Sequence, residues 1–168
     1  MSGPDPDPGA IPVVALAHNE ANILPAFLDH YRQLCRPAFL IVDDRSTDTT
    51  PDILAAAADV TVFRPVEGST YARDKAIWRS ELLDAWGAGR WCLVPDLDEH
   101  FVHPGAERQG FSDYLAQLDA EGAEAVAMLM LDMYADRPLE AHRFEGATPR
   151  RCARVFLSST LPTSGPAT

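Results

Sequence analysis

Apolar and polar positions alternate along the chain in blocks of two kinds. IPVVALA (11–17), AFLIV (38–42), WCLVP (91–95) and AVAMLMLDMY (125–134) are nearly continuous apolar runs, and VTVF (60–63) is a shorter one that alternates. Such runs fit strands of a parallel sheet buried on both faces. Between them the period changes to that of a helix. Ile23, Phe27, Tyr31 and Leu34, joined by Leu24 and Leu28, form one face. Asn19 is read as the cap before it and Pro25 as a first-turn proline. DILAAAA follows Pro51, with Thr50 as N-cap. ARDKAIWRSELLDAW (72–86) carries Ala76, Trp78, Leu82, Leu83 and Trp86 and closes at Gly87 and Gly89. FSDYLAQLDAEG (111–122) turns Phe111, Tyr114, Leu115 and Leu118 inward. Strand and helix therefore alternate five strands deep, the order of an α/β layered fold with a mostly parallel sheet.

The pattern fails outside these blocks. Residues 1–10 are rich in Pro, Gly and Asp and read as a disordered tail. Beyond residue 135 there is no clear period, and 146–168 reads as an irregular or truncated tail. One domain over 11–145 is expected, and 168 residues suffice to bury a core. No apolar run approaches the ~18–20 residues that span a bilayer, and the start is not a secretory signal, so a cytoplasmic protein is expected. The three cysteines, Cys35, Cys92 and Cys152, are far apart and form no zinc pattern. Cys35, Cys92, Met128, Met130 and Met133 read as core.

Charge narrows the partners. Asp and Glu number 25 against 14 Lys and Arg, a net charge of -11. That argues against nucleic acid, which needs clustered cations. It leaves open a small phosphorylated ligand bridged to an acidic pocket by a divalent cation.

The candidate chemistry lies at strand ends, where open α/β sheets bind ligands. Three of them carry polar clusters: His18-Asn19-Glu20, Asp43-Asp44-Arg45-Ser46 and Asp96-Leu97-Asp98-Glu99. In an extended segment Asp96 and Asp98 face one side and can grip one hard cation. The alternative is a solvated acidic turn. Asp44 suits the N–H of a pyrimidine base, whereas Asp48 and Thr50 suit capping. Arg73 at a helix start suits a phosphate, or is simply an exposed arginine. His100 and His103 read as loop histidines, with His100 a further possibility at metal or substrate.

VVALAHNEANI, LIVDDRSTDTTPDIL and WCLVPDLDEHFVHP together resemble the successive motifs of family-2-like glycosyltransferases with the GT-A fold. The resemblance spans roughly residues 11–134. The middle segment follows the D-D-x-S-x-D-x-T pattern and the last a D-x-D-E variant. It implies a Rossmann-like three-layer α/β/α fold, a nucleotide-diphosphate sugar donor with UDP favoured, a Mn²⁺ or Mg²⁺ ion, and inverting transfer of hexosyltransferase type. By position, Asn19 and Glu20 line the nucleotide pocket and Asp44 contacts the base. Arg73 sits near base or phosphate. Asp96 contacts ribose or metal, and Asp98 ligates the metal. The family's base lies in an acceptor-binding half that the last part of this chain does not resemble. Asp132 and Asp136 are weak substitutes. The chain is thus read as a truncated product, a binding remnant, or an enzyme completed by a partner subunit or a second copy.

Two other classes compete. A phosphohydrolase would use Asp96 as nucleophile and Asp98 as acid/base, but His100 stands where Thr or Val is expected. A non-catalytic module would bind the nucleotide sugar without turning it over.

Overall fold

The computed structural model describes residue 7 and residues 9–129. Over these residues the chain is an α/β fold with a small parallel sheet and four helices. Strand β1 spans Ile11–Ala17, β2 Pro37–Asp43 and β3 Val60–Phe63. The sheet order is β1-β2-β3, all parallel, with Val13 opposite Phe39 and Phe39 opposite Val60. Helix α1 is Leu24–Leu34, α2 Thr50–Ala56, α3 Tyr71–Trp86 and α4 Phe111–Ala120.

Because side chains alternate along a strand, β1 and β2 feed two cores. Val13, Ala15, Ala17, Phe39 and Ile41 pack against Leu24, Phe27, Leu28 and Tyr31 of α1 and Leu54 of α2. Val14, Leu16, Leu40 and Val42 pack against Trp78, Leu82 and Trp86 of α3. Helices thus cover both faces, as the apolar runs require. Phe111, Tyr114 and Leu118 of α4 form a third cluster, joined by Leu34, Trp91, Leu93 and Phe101. Ala76, expected on the inner face of α3, is exposed.

Two predicted strands are corrected. The 91–95 run makes a single parallel bridge, Val13 to Leu93, on the free side of β1. Val14 N donates to Leu93 O at 2.8 Å and Leu93 N to Pro12 O at 2.9 Å. Extending the ladder would need N–H groups from Pro12 on one side and Pro95 on the other, and proline has none. The apolar run is therefore real, but its ladder is one rung long. Residues 125–129 take no regular structure, and Met128 and Leu129 are exposed (55% and 73%) rather than core. A strand needs a neighbour's backbone to bond to, and among the described residues no backbone hydrogen bond reaches this segment. The rest of that run, with Met130 and Met133, lies outside the described residues, as do Cys152 and 146–168.

At the other end, the expected tail is anchored where it is described. Asp7 accepts from Arg36 at 2.6 Å and from Gly9 N at 2.8 Å, and Ala10 is buried. Cys35 and Cys92 are half-buried at the rim of the packing, and burial pushes the Cys35 thiol up to about 11. No described helix is long and apolar enough to cross a membrane.

Candidate functional site

With the Leu93 bridge counted, chain order across the sheet runs outward from β1 in both directions. One direction leads to β2 and β3, the other to the segment after α3. The reversal beside β1 is a topological switch point, the place where such sheets open a crevice at their carboxyl ends. Residues 18–20 and 94–99 flank it.

The β1 and β2 ends are stitched into one unit. Asp44 N donates to Ala17 O at 2.8 Å, and the His18 Nδ1–H donates to Asp44 O at 2.6 Å. Asn19 has a left-handed backbone (φ 56°), which asparagine tolerates better than most residues. Its Oδ1 accepts from Thr47 N (2.7 Å), Thr47 Oγ1 (3.3 Å) and Asp48 N (3.2 Å). Asn19 N in turn donates to Ser46 Oγ at 2.9 Å. Asn19 is therefore a loop latch and not the cap of α1, whose N-cap is Ile23. Thr50, predicted as an N-cap, is the first residue of α2 and fully buried, and Thr49 precedes it as cap. Its Oγ1 accepts from Glu20 N at 2.9 Å. Asp48 accepts from Thr50 N and Ala21 N, and hydrogen bonding with the Thr50 side chain first, then with these amides, holds its carboxyl below the usual range.

Asp43 and Asp44 are both buried at the end of β2. Asp43 Oδ1 accepts from Ser46 N at 3.1 Å, and its Oδ2 is buried without a partner among the described residues. Asp44 pairs with Arg45, which also has a left-handed backbone (φ 58°). Arg45 reaches on to Val66 O at 3.0 Å and Ser69 Oγ at 3.4 Å, tying the β2 end to the loop before α3. Arg73, the predicted phosphate residue, is turned to its neighbour. It makes a forked pair with Asp74 (2.8 and 2.7 Å) and donates to Gly68 O at 2.9 Å. Asp74 also accepts from Thr70 N at 2.7 Å, so it fastens the start of α3.

The 96–99 segment is a turn, closed by Glu99 N donating to Asp96 O at 3.0 Å. The Glu99 carboxylate accepts from Asp96 N at 2.9 Å, so the last acid of the motif staples the turn. Leu97 is buried (4%) in the α1-side core, while Asp96 and Asp98 are exposed on either side of it. The extended segment expected to put Asp96 and Asp98 on one side is therefore a turn, the alternative the sequence left open, and both aspartates are exposed on it. Asp96 is ion-paired with Arg79 of α3. Asp98 has no hydrogen bond or ion pair to any described residue. Glu20 is half-buried, and burial, followed by the like charges of Asp98 and Asp48, raises its carboxyl above the ordinary value. Glu20 and Asp98 thus feel one another across the switch point. No group of three His, Cys, Asp or Glu among the described residues is arranged to hold a metal.

Behind the turn, the Tyr31 hydroxyl donates to Glu99 O (3.1 Å) and accepts from Phe101 N (3.3 Å). His100 is half-buried and stacked on His30 with ring centres 4.4 Å apart. Burial lowers both, with His30 adding to the shift of His100. His103 is buried (4%), stacked on Tyr114. Neither is the exposed loop histidine that sequence suggests, because the loop folds back onto α1 and α4.

The structure thus brings Asn19, Glu20 and Asp44 together, sets Asp96 and Asp98 across the switch point, and leaves Arg73 engaged elsewhere. Sequence reasoning placed His18 and Arg45 in the strand-end clusters without partners, and missed Asp74 and Arg79. Of the missed two, Asp74 had a local signal, as an acid in the first turn after Thr70. Asp132 and Asp136 lie outside the described residues. No family model, curated protein or solved structure matches the chain.

Proposed function

We propose that this chain binds a nucleotide-diphosphate sugar, UDP-linked in preference, at the switch point beside β1, and transfers the sugar with inversion as a family-2-like glycosyltransferase of the GT-A fold. The observation that carries the reading is the acid turn. Buried Leu97 fixes it in the core, so that Asp96 and Asp98 stand exposed beyond the carboxyl edge of a parallel sheet, Asp98 close enough to Glu20 to act on its carboxyl. Exposed carboxylates clustered at such an edge suit a ligand that brings positive charge with it.

The donor set fits Mn²⁺ or Mg²⁺, which take oxygen ligands and are commonly held by one or two carboxylates plus substrate phosphates. Asp98, with no described partner, and Asp96 would hold the ion. When bound, the ion would neutralise the diphosphate and stabilise it as a leaving group. The chain's own residues do the rest. Asp44 accepts the base N–H from its buried place at the β2 end. Asn19 positions the loop over 46–50, and the Glu20 carboxylate faces the same crevice. Arg73 reaches a phosphate only by releasing Asp74.

Turnover of a panel of UDP- and GDP-sugars with Mn²⁺, read as released nucleotide, tests this. Release from one donor, lost in Asp98→Ala, is the expected result. Tight binding without release in any acceptor mixture points to a non-catalytic binding module. Hydrolysis of an aryl phosphate, abolished by Asp96→Asn, would replace the reading with a phosphohydrolase.

A further inference from the structure

The acid turn is held from the side by one residue whose role the donor-site reading does not use. Arg79 lies on α3, one position after the buried Trp78, and its side chain is only 24% exposed. Its Nη2 binds Asp96 Oδ1. Its Nε is buried and has no hydrogen-bond partner among the described residues. The guanidinium is thus fixed by the core on one side and by a single carboxylate on the other.

Two facts make this contact exchangeable. A fully used arginine–carboxylate pair is forked, with two parallel N–H donors on two oxygens. Here the Nε donor of such a fork is enclosed and unused, and a buried donor without an acceptor is costly. The carboxylate end is open, since Asp96 is 51% exposed. The pair is therefore incompletely satisfied on the arginine side and accessible on the aspartate side. A carboxylate oxygen saturated by a guanidinium is a poor ligand for a second cation, because the two positive charges repel at contact distance.

We propose that Arg79 is a competing counter-ion for Asp96, so that the carboxylate is held either by the guanidinium or by a divalent cation, and the arginine sets how tightly the cation is taken. The inference rests on the donor-site reading of Asp96 and Asp98. It makes Arg79 a positioning residue: it acts on the cation through Asp96 and touches neither the nucleotide nor the sugar.

The test is titration of Mn²⁺ into the full chain, followed by the paramagnetic resonance signal of free Mn²⁺, without and with UDP. A partly exposed pair corresponds to up to about five-fold in affinity. Arg79→Met is expected to tighten Mn²⁺ by about that factor without UDP, and Arg79→Lys by less. The gain should vanish when Asp96→Asn is added to Arg79→Met. Unchanged or weaker binding in Arg79→Met, with UDP-dependent Mn²⁺ binding intact in the unaltered chain, overturns the inference and leaves the donor site standing. Absence of Mn²⁺ binding in every variant, with UDP present, overturns both. The unaltered chain gives a second readout. Mg²⁺ should move the Arg79 Nε–H resonance and speed its exchange with water. A resonance that stays in place at saturating Mg²⁺ contradicts the proposal.

Discussion

The two sides of the switch point are built differently. On the β1–β2 side, residues 17–20 and 43–50 are cross-linked by hydrogen bonds from Asn19, Ser46, Asp48 and Thr50 over short distances. On the other side, the 91–104 segment has one bridge at Leu93 and is otherwise held by side chains: buried Leu97 and His103, the His30–His100 stack, the Tyr31 hydroxyl, Trp91 donating to Asp119, and the Arg79 pair. The first side is a prefolded clamp, in which most polar groups are already committed to one another. The second is packed by side chains onto α1 and α4 and leaves the aspartates of its acidic turn exposed, Asp96 paired with Arg79 and Asp98 with no described partner. A site made of a fixed half and an adjustable half can hold a ligand's invariant part on one side and accept charge on the other.

The largest expected effect breaks the adjustable half. Leu97→Ala empties a buried anchor and should cost about 2–5 kcal/mol. Urea denaturation measures the total. Amide exchange should show that the loss of protection concentrates in 96–104 and spares 17–50. Equal loss in both would mean the two halves are one cooperative unit.

Next comes the clamp. Asn19→Ala removes an acceptor of three hydrogen bonds and places alanine at a left-handed backbone, a combined cost of about 2 kcal/mol. Asn19→Gly relieves the backbone part and should recover about half. If glycine is no better than alanine by denaturation midpoint, the left-handed conformation is not what Asn19 supplies.

The smallest effect joins the halves. Glu20 has a folded pKa above its ordinary value, so folding favours its protonated form. Stability is therefore highest below the unfolded value and falls as pH rises through the raised folded one. Glu20→Gln should remove that penalty. The variant should be more stable than the parent near pH 7, by less than about 1 kcal/mol after solvent screening, and equal to it in acid. A gain that persists below the ordinary glutamate range would assign the effect to packing instead of charge. Adding Asp98→Asn should lessen the gain, because Asp98 is one of the charges responsible.

The apolar runs were enough to reveal the sheet and its two covered faces, because a strand buried on both sides has no room for polar residues. β3 was read with the bounds it has, and α1, α3 and α4 nearly so. The 91–95 strand was overread because periodicity reports burial, whereas a ladder depends on donors, and Pro12 and Pro95 remove the two it needs. Asn19 was misread as a cap because its side chain bonds forward 28 and 29 residues, to Thr47 and Asp48. The acid turn was legible as chemistry. Its counter-ion was not, since Arg79 lies 17 residues away on α3, where it reads only as a charged position beside the inward Trp78. Thr50 and Asp74 show the same limit: capping signals mark a helix start, and the partner is chosen by the neighbouring loop.

The most direct test of a shared nucleotide and cation site is calorimetric titration of UDP into the full chain, with and without Mn²⁺, repeated on Asp98→Ala. Binding should strengthen with Mn²⁺ in the unaltered chain and lose that dependence in Asp98→Ala. Binding of UDP that is the same in both proteins and indifferent to Mn²⁺, or no binding to the folded chain at all, would contradict a shared site.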